Sequence, residues 1–256
     1  PNIVGINTIE PAFHLKAVWI LEKDVEYAES VGYSVFSPGA VISTHLTEII
    51  KKNASEILTR NDVQQLIDNL KKEVNETYVN DLMKEMSTAD VQQILKNLLK
   101  ERVSIRDLKT ILETMSLQYK VNKNYNYLTE RCREALGRNI CMQNLSPTGE
   151  LLVINMTQEV EQEIARGVNP DGESLSLSPD FVKRLMDNLN SELERAIQQT
   201  GSQPVILCSS PIRLIFRRLL ERTYPQISIM SYNEVTNNIK VKSVGIIRAN
   251  VKATPM

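Results

Sequence analysis

Histidine, cysteine and tryptophan are scarce: the 256-residue chain has two, three and one of them. Cys132, Cys141 and Cys208 are odd in number and lie at no metal-ligand spacing. They fit a reducing compartment and ordinary buried thiols, so no metal site is expected. The two histidines, His14 and His45, lie early in the chain, and neither neighbours a G-x-S-x-G elbow. A nucleophile would have no base to draw on. Neither G-x-x-x-x-G-K-[ST] nor G-x-G-x-x-G occurs, so no cofactor is expected. No apolar run approaches the ~18 residues of a membrane span. The opening "PNIVGINTIE" lacks the regions of a signal peptide, and its start at Pro1 without Met reads as a fragment of a longer chain. An excess of either charge is missing too: 30 basic residues face 31 acidic ones, for a net charge of -1. That balance gives no bulk attraction for nucleic acid or an anionic membrane. The case for an enzyme is thin, and a surface that binds other proteins is the class that remains.

Apolar residues are plentiful at 42%, enough for a real core. The pattern predicts an α+β fold of several subdomains. Residues 1–59 read as a small mixed α/β part. "AVWILE" (17–22) is a strand, with Trp19 and Ile20 holding it in the core, and "VEYAESVG" is a helix closed by Gly32. "YSVFSP" is a second strand, followed by a helix from Gly39 to about Leu58. Residues 60–145 read as all helical. Val63, Leu66, Ile67 and Leu70 follow amphipathic spacing, as do Val91, Ile94, Leu95 and Leu98 after Thr88. Ser104 and Asp107 resemble a helix start, with Asp107 and Arg106 in a structural role. A last helix is predicted from about Tyr125 to Ile140. Residues 146–256 alternate strand and helix, which predicts an α/β subdomain with a small sheet. Its strands are "ELLVINM", "PVILCS", "QISIMSYNEV" and "IKVKSVGII". A helix over 179–200 has Ser178 as cap, Pro179 at its first position and Gly201 as its stop.

The helix "PIRLIFRRLLERTYP" is rich in arginine. An RNA-binding surface is one reading, though with one aromatic and no RNP-like strand pair. The plainer reading is an amphipathic helix whose Arg stems cover a sheet while their heads stay in water. Carboxylate pairs such as "EVEQE" read as solvated helix faces.

Several stretches carry a resemblance. "NLLKERVSIRDLKTILETM" closely resembles a signature of the type III export gate family. "EPAFHLKAVWI", "VISTHLTEIIKKNASEILTR", "LTERCREALGRNI" and "PIRLIFRRLLERTYPQISIMSYNEV" resemble further motifs of that family in the same order, so the likeness spans about residues 8–247. "SYNEV" with "VKSVGII" is closer to the flagellar branch than to the virulence injectisome branch, the alternative.

The resemblance implies a soluble cytoplasmic half, truncated at its N-terminus. The membrane would be reached only through an N-terminal half absent from this chain, at the cytoplasmic face of the bacterial inner membrane. It implies a nine-membered homo-oligomeric ring. It also implies docking of export chaperones with their cargo, a part in substrate switching, and work beside a separate soluble ATPase complex. The family's chaperone-docking dimple maps onto Glu10, Phe13 and Thr44, with Pro11 in the same motif. Phe13 would be an aromatic anchor, and Glu10 and Thr44 would orient a partner segment. Two residues depart from the pattern: His14 stands where the family has Gly, and Ser43 where Ala is common. His14 would be an exposed turn residue beside the dimple that narrows it or changes the preferred cargo. His45 would be structural.

Overall fold

The computed structural model describes residues 3–170 and 172–248. The expected first and last subdomains thus have their ends, residues 1–2 and 249–256, outside the described residues. The chain forms two compact units, residues 1–59 and 60–256.

In the first unit β1 (Ile6–Ile9) and β2 (Lys16–Trp19) pair as an antiparallel hairpin, with Ile6 opposite Trp19 and Ile9 opposite Lys16. A 3-10 turn at Glu22–Asp24 leads into α1 (Val25–Ser30), which ends at Gly32 with φ 93. The strand expected over "YSVFSP" does not form. Ser37 accepts a hydrogen bond from the Ala40 amide and Pro38 takes the first helical position. That pair starts α2 (Pro38–Ile57) instead of ending a strand. Ala28 is the only buried apolar residue of this unit among the described residues. The expected core placement of Trp19 fails: it is 44% exposed. Its hairpin pairs only with itself, and two strands do not enclose a side chain on both faces.

The second unit begins with α3 (Arg60–Glu73), α4 (Glu76–Leu82), α5 (Thr88–Lys100), α6 (Leu108–Gln118), α7 (Tyr125–Ala135) and α8 (Gly137–Gln143). The predicted faces are the buried ones, except at Leu66, which is 37% exposed on α3. Val63, Ile67, Val91, Ile94, Leu95, Leu98, Ile111, Leu112 and Met115 are all closed to water. Ser87 and Asp90 form a reciprocal capping box on α5. The cap of α6 is Asp107, which accepts from the Thr110 amide, and not Ser104. The helix predicted over 125–140 breaks into α7 and α8 at Leu136. A Cβ on Gly137, the first residue of α8, would lie 2.4 Å from the Glu234 carbonyl, so only glycine lets α8 approach the backbone at Glu234 this closely.

The rest of this unit is a parallel sheet. β3 (Leu151–Met156), β4 (Val205–Cys208), β5 (Ile229–Ser231) and β6 (Val241–Ile247) lie in the order β5-β4-β3-β6. Helices α9 (Gln158–Gly167), α10 (Pro179–Thr200) and α11 (Ser210–Leu220) connect them. Phe181, Leu185, Leu189, Phe216 and Leu220 join Ile154, Ile206 and Ile229 in one core. The near-continuous apolar runs of β3 and β4 are what a covered parallel sheet requires. Gly201 ends α10 at φ 67, as predicted. With eleven α-helices, an antiparallel hairpin and a four-stranded parallel sheet among the described residues, the expected α+β class is the observed one.

Candidate protein-docking site

The six residues between β1 and β2 make a tight turn built on Glu10. Its amide donates to the Leu15 carbonyl at 2.7 Å, and its carbonyl accepts from the His14 amide at 2.9 Å. Its carboxylate turns back on the same loop. One oxygen accepts from the Ala12 amide at 2.8 Å and the other from the Phe13 amide at 2.7 Å. A charged acceptor on two otherwise free amides is a strong local tie. It fixes the backbone beneath Phe13, a residue 58% exposed. Pro11 needs no amide partner at its place in this loop and is exposed.

His14 is exposed and has φ 58. That left-handed conformation favours glycine and tolerates histidine better than most residues. It gives the physical reason for a glycine at this place in the motif that His14 departs from.

Thr44 lies in the second turn of α2 and is exposed. Leu46 and Ile49 on the same helix are exposed as well, although their spacing predicts a buried face. The Nδ1 of His45 is buried with no hydrogen-bond partner among the described residues. The structure therefore gathers Glu10, Pro11, Phe13 and His14 on one turn. No hydrogen bond joins Thr44 to that turn among the described residues.

A second constellation escaped sequence reasoning. Arg213 is fully buried and pairs with Glu130 through Nε at 2.6 Å and with Glu101 at 2.7 and 2.9 Å. Arg133, 1% exposed, pairs with Glu234 at 2.7 Å and Glu101 at 3.2 Å. Both guanidinium groups also donate to the Ile229 carbonyl on the edge strand β5. Arg217 donates to the carbonyls of Tyr224, Pro225 and Ile227. The expected solvated arginine face is thus an interior one, and Arg213 and Arg217 are not available to a nucleic acid. Their helix packs over the sheet, and acidic side chains of α7 and the α5 end wait there to receive the charge.

Burial alone would raise the Glu101 carboxyl, but Arg133 and Arg213 outweigh it and hold it down at about 2. Burial pushes the Cys132 thiol up to about 12, which leaves it unreactive at neutral pH. No group of three or more metal-ligating side chains occurs among the described residues, and no helix is long and apolar enough to cross a membrane.

The profile of the FHIPEP family matches residues 1–240. The chain belongs to the FHIPEP family. It is 39% identical over 251 residues to the flagellar biosynthesis protein FlhA of Bacillus subtilis (strain 168), covering 96% of this chain and 36% of that protein. It is 36% identical over 234 residues to FlhA of Borreliella burgdorferi, covering 91% and 33%. The chain thus spans about a third of the length of the curated relatives it matches.

Among solved structures, CdsV of Chlamydia pneumoniae superposes with a TM-score of 0.80 at 26% identity, over 98% of this chain and 69% of that one. A complex of CdsV with CdsO matches with a TM-score of 0.78 at 25% identity, over 90% and 68%. The nonameric EscV cytosolic domain from the type III secretion system matches with a TM-score of 0.71 at 27% identity, over 91% and 68%. The fold is that of this family's cytosolic domains.

All members of the arginine–glutamate network fall within the motifs that carried the family resemblance. Glu101 lies in "NLLKERV", Glu130 and Arg133 in "LTERCREAL", Arg213 in "PIRLIF" and Glu234 in "SYNEV". In this chain those motifs hold the fold, whereas the "EPAF" turn and the "STHL" turn of α2 are largely exposed.

Proposed function

We propose that this chain is the partner-docking cytoplasmic part of a flagellar type III protein export gate. It receives export chaperones with their bound cargo and assembles with further copies into a nine-membered ring. It takes part in the ordered switch between substrate classes. The full protein would hold it at the cytoplasmic face of the inner membrane, beside the soluble ATPase complex.

The observation that carries the docking reading is Phe13. An aromatic residue 58% exposed, on a loop tied down by the Glu10 carboxylate, is an anchor already in place before a partner arrives. Family membership and the flagellar relatives support the export role, and the nonameric EscV domain supports the ring. The alternative, an export gate of a virulence injectisome, is supported by the solved structures, but at lower identity than the flagellar relatives.

Calorimetry of a flagellar filament chaperone–cargo complex against the Phe13→Ala, Thr44→Met chain tests the reading. Binding should weaken by about tenfold or more, the ~1.4 kcal/mol or more of an aromatic hot spot. The melting transition should stay near that of the parent chain. Unchanged affinity would remove Phe13 and Thr44 from the docking site.

A further inference from the structure

We propose that helix α10 closes the edge of β6 against strand addition, and that the strand it keeps out is β6 of a second copy of this chain. β6 is an edge strand and, at seven residues, the longest of its sheet. Val241, Val244, Ile246 and Ile247 are β-branched, and Val241 and Ile246 are exposed. An open edge of that length and composition is a template for a further strand, and two identical edges pair about a two-fold axis.

The Ile247 carbonyl accepts from the Thr157 amide just after β3, so Ile247 faces β3 and the amides of Ile246 and Arg248 point away from it. Each meets a side chain of α10 instead of a strand. The Ile246 amide donates to Oε2 of Glu192 at 3.1 Å, and the Arg248 amide to Oδ1 of Asn188 at 2.8 Å. The spacing explains the fit. Four residues along a helix rise about 6 Å, and two along a strand about 6.6 Å. Acceptors at 188 and 192 therefore repeat at the interval of alternate strand amides, as a neighbouring strand's carbonyls would.

The strand makes room for them. Its register against β3 shifts between Val153 and Ile154, a bulge that bends the edge. A Cβ on Gly245 would lie 2.6 Å from Oε2 of Glu192. Bulge and glycine both weaken a strand, and here both admit the carboxylate.

The opposite edge is treated alike. The Ile206 amide donates to the Ser228 carbonyl, so residues 227, 229 and 231 face away from β4. Arg217 donates to the Ile227 carbonyl, and Arg133 and Arg213 to that of Ile229. The Ser231 amide donates to Glu234 at 3.2 Å. Side chains thus stand in for an outer strand at both edges of the sheet.

Sedimentation velocity of the full chain and of its Asn188→Ala, Glu192→Ala variant tests the proposal, with circular dichroism melts to show that the variant is folded. The variant should self-associate about tenfold more tightly or better. Adding Val241→Pro, at the first residue of β6 where its amide points outward, should abolish that gain. Contacts of a ring are common to all three chains and cancel in the comparison. Amide exchange gives a readout that needs no association. Glu192→Ala alone should speed exchange at Ile246 by about tenfold or more, the worth of one charged hydrogen bond, and leave Arg248 near its parent rate. An unchanged Ile246, a folded double variant that associates no more than the parent, or association that survives Val241→Pro would overturn the proposal.

Discussion

At His14 the backbone occupies φ 58, where an L side chain costs about 1–2 kcal/mol and glycine nothing. His14→Gly relieves that cost but loosens the unfolded chain, so stability should change by less than ~1 kcal/mol. His14→Val should lose about 1–2 kcal/mol, because branching at Cβ suits this region least. Trp19, the one tryptophan, lies in β2 beside this turn, so its fluorescence during urea unfolding reads the first unit directly. Cysteine gives a second residue-scale expectation. With all three thiols buried and their pKa values raised, iodoacetamide at pH 7.5 should label none in the native chain and all three in urea.

Helix α11 carries the lesson about elements. Its arginine pattern reads as a solvated face, because helical periodicity tells which side chains share a face and not what covers it. The covering groups are far off in sequence: Glu130 lies 83 residues from Arg213, and Glu101 lies 112. No local pattern reports such a pairing. Helix α5 was legible for the opposite reason, since its apolar stripe is local, although its Ser87–Asp90 box, equally local, was not read. Arg213→Ala should cost about 3–5 kcal/mol, the usual result of leaving buried carboxylates without their partner.

The same network sets an acid limit on the second unit. Glu101 has a folded pKa of about 2, below the ordinary 4.5. The stability it contributes is fully present above about pH 4.5 and is lost as pH falls toward 2. Glu130 moves the other way, because burial outweighs Arg213, and offsets part of that loss. Glu101→Gln should lower stability at pH 7 and flatten the pH dependence below 4.5. Circular dichroism melts from pH 7 to pH 3 read both effects.

Across the whole molecule, apolar burial is unequal. The second unit has a continuous core under its sheet, whereas the first buries Ala28 alone among its described apolar residues. Local opening follows such differences, so amides of α2 should exchange well before those of α5 and β3. The α+β class was legible because the strand–helix alternation and the amphipathic stripes are written locally. Burial in the first unit was not: the side chains of Trp19, Leu46 and Ile49 have a core-like pattern, yet little closes over them. The Glu10–Phe13 turn was legible as a motif, but its hydrogen bonds and the strain at His14 required geometry.

The central claim is that the Glu10–His14 turn and the start of α2 receive a chaperone–cargo complex. Hydrogen exchange of the chain with and without a flagellar filament chaperone–cargo complex tests it most directly. Protection is expected over residues 10–15 and 38–48, with the amides around the buried arginines of the second unit unchanged. Protection confined to residues 60–248, with the turn exchanging as freely as before, would contradict it.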